Sequence, residues 1–334
     1  MKKTFLLLMS LFCVGVAGAV EKQTRVKLAT LVPKGTSYHA ILQTMGEKWR
    51  QAPGGGVALT IYTDGTMGGE ADMVRRMRVG QLQAGLLTVT GLAEIDESVR
   101  ALQNMPMVFR SLDEVDYVRT KLQPRLEKKF ADKGFVILFW GYGGWVRFFS
   151  RQPAFVPDDF KRMKMFAWAG DNNTVDIMKS LGYQPVPLEP TDILTGLQTK
   201  LIDSVPSTPF YALAGQFFGP APHMLEINWV PLVGGAVVTK KTWDALPAET
   251  RAALRAAADE AGVEINKRSR IENDEAVAAM QKRGLQVHPA TPEIEAAWVK
   301  IAESVHPKIR GKIVPAETFD EVIQLLADYR AGKR

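Results

Sequence analysis

The chain has 334 residues, with 42 Lys and Arg against 36 Asp and Glu and a formal charge of +6. Its one cysteine, Cys13, lies in an N-terminal apolar stretch, so disulfides, thiol nucleophiles and cysteine metal sites are excluded from the rest. The basic residues scatter among acidic ones instead of forming a stripe with stacking aromatics, which argues against nucleic acid as a partner.

In chain order, Lys2 and Lys3 precede the apolar run TFLLLMSLFCVGV, and Ala17-Gly18-Ala19 then supplies small residues. This is the pattern of a secretory signal peptide over 1–19, cleaved near Ala19. Ser-Leu-Phe before Cys13 is not a lipoprotein attachment box, so the mature chain is expected free in an oxidising compartment, the periplasm. No later segment approaches about 20 consecutive apolar residues, the length that spans a bilayer.

TRVKLATL (24–31) alternates like a strand, and a helix is expected from about 37 to 51 with Ser37 as its N-cap. VALTIYTD (57–64) reads as a second strand, and Gly68-Gly69 opens a helix with acidic residues early and arginines late. AGLLTVT (84–90) is a third strand, a helix follows near 112–133, and GFVILFWG (134–141) has the continuous apolar run of a strand buried on both faces. A second series follows: WVRFFS (145–150), MKMFAW (163–168), a helix after Asp171, QPVPLEP (184–190), a helix across 191–200, and LIDSVPS (201–207). GGAVVTKKTWDALP gives a further strand and turn, and a helical run extends from about Ala248 to Arg283. At about 1.5 Å per residue that helix exceeds 50 Å, long enough to tie two lobes together.

The βαβ alternation argues for two α/β lobes, each a mostly parallel sheet flanked by helices, with the long helix bridging them. The boundaries read as 20–144 with 230–270 for the first lobe and 145–229 with 271–334 for the second. Ligands of such folds sit in the crevice at the carboxyl ends of strands.

Catalytic signals are absent. His39, His223, His288 and His306 lack metal-ligand spacing, and there is no G-x-S-x-G elbow, phosphate loop or G-x-G-x-x-G after the first strand. The glycines of GYGGW (141–145) let the backbone turn, or let a ligand approach closely. Asp158-Asp159 suits a turn, and Asp203 a loop. No cofactor, no metal and no enzyme activity are expected; a binding protein is.

The ordered segments FFSRQPAFVPDDFKRMKMFAW, SLGYQPVPLEPTDILTGLQTKLIDSVPSTP and VVTKKTWDALP resemble those of the DctP-type periplasmic solute-binding proteins of TRAP transporters. KLATLVPKGTSY and DGTMGGEADMVRRMRVGQLQAG fit the same family, so the resemblance covers essentially the whole mature chain. It implies a two-lobed periplasmic-binding-protein fold closing over one ligand, and TRAP-type membrane permease subunits as partners. It also places ligand contacts at Tyr38, Met67, Thr90, Trp145 and Arg147. In the second half it adds Phe166, Trp168, Ser207, Thr208, Phe210 and Trp229.

The departures bear on ligand class. In the family the strand at 163–168 ends in a carboxylate-pairing arginine; here that position is Phe166. Lys200 stands where the family has glycine, and Asp203-Ser204 replaces its Asp-Gly. Losing a bidentate guanidinium leaves a ligand carboxylate with a desolvation penalty of several kcal/mol. A phenyl ring instead rewards apolar surface at about 25 cal/mol per Å².

The leading expectation is therefore an apolar or amphipathic, lipid-like ligand, with Phe166, Trp168 and Trp229 burying its body and Thr90, Ser207 and Thr208 orienting a polar end. The resemblance to a branch lacking that arginine adds a tetratricopeptide-containing lipoprotein as partner. The alternative is an ordinary small organic acid read by Arg147, or by Arg76 or Arg78.

Overall fold

The computed structural model describes residues 23–333; the expected signal segment lies outside them. Strand β1 (Thr24–Thr30) pairs in parallel with β2 (Val57–Tyr62) and with β3 (Ala84–Thr88). Helices α1 (Ser37–Arg50) and α2 (Glu70–Arg78) form the crossovers. Thr36, not Ser37, caps α1: its side chain accepts from the His39 N–H, while the Ser37 hydroxyl donates to Glu272. The run expected as strand through residue 90 ends at Thr88, whose hydroxyl accepts from the Thr90 N–H and starts a short helix α3 (Val89–Ala93).

Helix α4 (Leu112–Asp132) starts on a Ser111 cap and leads into β4 (Phe135–Ser150). The two strands expected at 134–141 and 145–150 are thus one strand of 16 residues. Its register against β8 (His223–Thr239) shifts between Ile137 and Phe139, and again between Tyr142 and Gly144. The first bulge re-aims the side chains: Phe135, Ile137, Trp140 and Tyr142 join one core, Leu138 and Phe139 the core on the opposite face. At the second, Gly144 adopts φ +98, and a Cβ there would collide with the Asn273 amide.

The second lobe holds α5 (Pro157–Lys161), β5 (Lys164–Trp168), α6 (Asn172–Ser180), β6 (Gln184–Leu188), α7 (Ile193–Gln198), β7 (Ser204–Ser207) and α8 (Pro209–Ala214). Here β5 runs parallel to β6 and β7. The strand order is β2-β1-β3-β8-β4-β7-β5-β6, so the antiparallel pair β4 and β8 runs through both lobes and joins their parallel halves. This is the two-lobed, mostly parallel architecture the alternation implies.

After α9 (Lys240–Asp244), helix α10 (Ala248–Gln281) packs on α1 and β4 at one end and on α8 at the other. Two of its asparagines hold the second β4 bulge. Asn266 accepts from the Tyr142 N–H and donates to the Trp140 carbonyl; Asn273 donates to the Gly143 carbonyl and accepts from the Phe210 N–H. A short strand β9 (Gln286–Pro289) joins β8 before α11 (Pro292–Ile309) and α12 (Ala316–Arg330). This C-terminal stretch, expected with the second lobe, divides between the two. Trp298 packs with Phe148 and Phe160 of the second lobe, whereas α12 lies on α4 and its Val322 and Leu326 join the first lobe's core.

Candidate ligand-binding site

The strands of the first lobe deliver Thr30–Pro33 and Leu86–Thr88 to a crevice closed from the other side by Trp168, Thr208, Phe210 and Tyr211. Its floor is the glycine-rich bulge at 141–143 beside Leu232–Gly234, and the cavity, open on one side, is about 130 Å³. The rings of Tyr38 on α1 and Phe210 on α8 stack on each other at its edge, at 4.7 Å and 21°. The Tyr38 hydroxyl donates to the Tyr142 carbonyl at 2.9 Å, and burial together with the Glu272 charge holds its pKa above the usual phenol range.

Glu70, the first residue of α2, is the only charged side chain bordering this cavity, and no Lys, Arg or His does so among the described residues. Its carboxylate accepts from the Thr88 N–H (2.7 Å), the Thr88 hydroxyl (2.6 Å) and the Gly91 N–H (2.9 Å), which staples α2 to the turn after β3. Burial outweighs these three donors and pushes its pKa up. Tyr211 is pushed to about 12 by burial, then by the charges of Glu70 and Asp64. Tyr211 thus keeps its phenol proton at neutral pH, and the Thr208 hydroxyl accepts from the Tyr211 N–H at 3.4 Å.

Beyond Trp168 lies a second cavity of about 210 Å³, bordered by Phe148, Met165, Phe166, Trp229 and Trp298 together with α6 and the end of α11. Trp168 borders both cavities. Phe166 is 2% exposed and packs with Phe149, Ile193 and Leu197; its ring meets Trp168 edge-on at 6.1 Å.

Of the residues singled out from sequence, Tyr38, Trp168, Thr208 and Phe210 meet at the crevice cavity, and Phe166 and Trp229 at its neighbour. Met67 and Trp145 border neither, because both pack against the first lobe's core. Thr90 sits in the first turn of α3, and Ser207 turns its hydroxyl onto the Thr208 carbonyl at 3.3 Å. Arg147 points away from the crevice: its guanidinium pairs with Glu226 at 3.0 Å and borders an outer groove with Arg110, His306 and Arg330. The other two arginines lie at the far end of α2, where Arg76 reaches Gln81 and Arg78 the Glu94 carbonyl.

Sequence reasoning missed Glu70 and Tyr211. Glu70 follows the Gly68-Gly69 pair and reads as a helix-dipole acid, since nothing local reveals that Thr88 and Gly91 will meet it. The histidines gain one surprise, as β8 and β9 bring His223 Nδ1 within 3.0 Å of His288 Nε2. No group of three metal-ligating side chains forms among the described residues.

Residues 28–312 match the model of bacterial extracellular solute-binding protein family 7, DctP. The chain is 24% identical over 292 residues to the C4-dicarboxylate-binding periplasmic protein DctP of Rhodobacter capsulatus, covering 87% of this chain and 86% of that one. It is also 24% identical over 257 residues to the 2,3-diketo-L-gulonate-binding periplasmic protein YiaO of Escherichia coli, covering 75% and 76%. A TRAP periplasmic solute-binding protein from Shewanella oneidensis, solved with bound succinate, superposes with a TM-score of 0.84 at 20% identity, over 93% of this chain and 100% of that one. One from Haemophilus influenzae with bound L-gulonate gives 0.83 at 18% identity, over 92% and 99%. At such identities the structural likeness establishes the fold.

Proposed function

This chain belongs to bacterial extracellular solute-binding protein family 7, the DctP-type solute-binding proteins of TRAP transporters, and on that premise we propose that it captures a small organic acid in the crevice and delivers it to a TRAP-type membrane permease. The observation that carries the acid is the ligand chemistry of the relatives: C4-dicarboxylate and diketogulonate in their names, succinate and gulonate in their structures. Tyr211 and Thr208 border the crevice, and in this reading their hydroxyls orient the acid. Tyr38 and Phe210 come from different helices and stack at the crevice; in this reading a guest that adds to that contact shifts the population toward the closed form. The closed surface is what the permease meets. The role is capture and delivery in the periplasm, with no turnover of the ligand.

A second reading, an apolar or amphipathic ligand with a tetratricopeptide lipoprotein as additional partner, is favoured by one observation. The cavity lining carries Glu70 and no cation, so a bound carboxylate lacks the charge-assisted partner that offsets its desolvation. Native mass spectrometry of protein purified from the periplasm, followed by ligand extraction, separates the two. Recovery of a small carboxylic acid is the expected result. A neutral or lipid-like compound in its place overturns the acid and establishes the second reading.

A further inference from the structure

We infer that the ligand site is bipartite: the cavity beyond Trp168 is a second chamber that takes an apolar ring or branched chain attached to the acid held in the crevice. The acid end rests on the function proposed above; the chamber rests on its own geometry. Along β8, Trp229 and Val230 border the larger cavity, and Leu232, Val233 and Gly234 the smaller. Pro206 and Thr208 divide between the two cavities in the same way. The cavities therefore lie end to end along one strand, with the half-buried Trp168 indole as their shared wall.

The chamber's chemistry selects its occupant. Met165, Ile177, Trp229, Trp298, Val305 and Ile309 make it aromatic and aliphatic. Its one charged side chain, Asp171, is already held by Thr174 at 2.8 Å and by Arg100 at 3.6 Å, and the Gln103 amide oxygen accepts from the Val233 N–H. As in the crevice, no cation borders the chamber to offset the desolvation of a carboxylate, and its lining is mainly apolar. Protein interiors hold few voids larger than a water, and a dry apolar cavity of about 150 Å³ accepts benzene. At about 210 Å³ this one has room for a substituted ring. The ligand class is thus an aryl- or cycloalkyl-substituted monocarboxylic acid, and Trp168 sets the division between its two ends.

The test compares propanoate with 3-phenylpropanoate by calorimetry, and adds fluorobenzene followed by ¹⁹F NMR as a probe of the chamber alone. Wild-type protein is expected to bind 3-phenylpropanoate about tenfold or more tightly than propanoate, the gain from burying a phenyl ring. It is also expected to bind fluorobenzene, in competition with 3-phenylpropanoate. Met178→Trp, which fills the chamber from α6, should erase the preference, leave propanoate unchanged and abolish fluorobenzene binding. Equal affinity for the two acids in the wild type, with no bound fluorobenzene, overturns the chamber while leaving the acid reading standing. Fluorobenzene binding with neither acid bound keeps the chamber and overturns the acid head. The wild-type measurements decide the matter even if Met178→Trp fails to fold.

Discussion

The crevice and the outer groove behind β4 each enclose a glutamate near them, and the two behave oppositely. Glu70 and Glu114 are 3% and 4% exposed. Each accepts three hydrogen bonds: Glu70 from Thr88 and Gly91, Glu114 from the Arg330 guanidinium (Nε 2.7 Å, Nη2 2.8 Å) and the Arg110 N–H. Burial pushes both pKa values up. At Glu114 the Arg330 bonds, the Arg110 N–H and the two arginine charges outweigh burial and bring the net shift below the ordinary range. Glu70 has no cation to do so and stays raised. Glu70 is the more deeply desolvated of the two and has neutral donors alone, whereas Glu114 has a guanidinium as well. The protein keeps its arginines on the outer side, Arg147 with Glu226 and Arg330 with Glu114, and leaves the crevice without them.

The largest effect that sharpens this contrast is expected at Glu70. Glu70→Ala orphans the Thr88 N–H, the Thr88 hydroxyl and the Gly91 N–H, and should cost about 3 kcal/mol in urea unfolding. A loss below about 1 kcal/mol would mean that water replaces the carboxylate and that the site is wetter than it looks. The pH dependence carries the sign. Native Glu70 binds its proton at higher pH than the unfolded chain, so its contribution declines as pH rises from about 4 through the raised native value. Glu70→Gln should remove that decline.

Glu114→Ala comes next, at about 2 kcal/mol, discounted because Arg330 is 31% exposed and partly solvated once abandoned. Its lowered pKa gives the opposite slope: stability present above the ordinary glutamate range is lost as pH falls through the native value. If both glutamates showed the same slope in denaturation at several pH values, the contrast would collapse.

The smallest effect belongs to Arg147→Ala. Its pair with the 43% exposed Glu226 is worth about 1 kcal/mol or less. Ligand affinity should move by less than about twofold, because the guanidinium faces the outer groove. A collapse of organic-acid binding by calorimetry would return Arg147 to the ligand.

Local pattern carried most of the elements. The βα alternation, the start and end of α4 and the 34-residue α10 follow from periodicity and capping, which depend on neighbours within a few residues. Where the reading slipped, the local sequence was ambiguous, as with the neighbours Thr36 and Ser37, or the GYGG stretch, which suits a turn as well as a bulge. The bulge wins because Asn266 and Asn273, some 125 residues later, satisfy the backbone it exposes. The candidate site was half legible. Of the residues expected to contact ligand, Tyr38, Trp168, Thr208 and Phe210 border the crevice, whereas Phe166 went into the second lobe's core.

By itself the sequence determined the two-lobed α/β class, the bridging helix and the absence of an arginine at position 166, all properties of composition, period and order. Tertiary structure alone decided which way Arg147 points, that Glu70 stands uncompensated in the crevice, and that Trp168 parts two cavities. Strand alternation names two faces but not what covers each, and a charge's cost depends on burial and partners that arrive from distant segments.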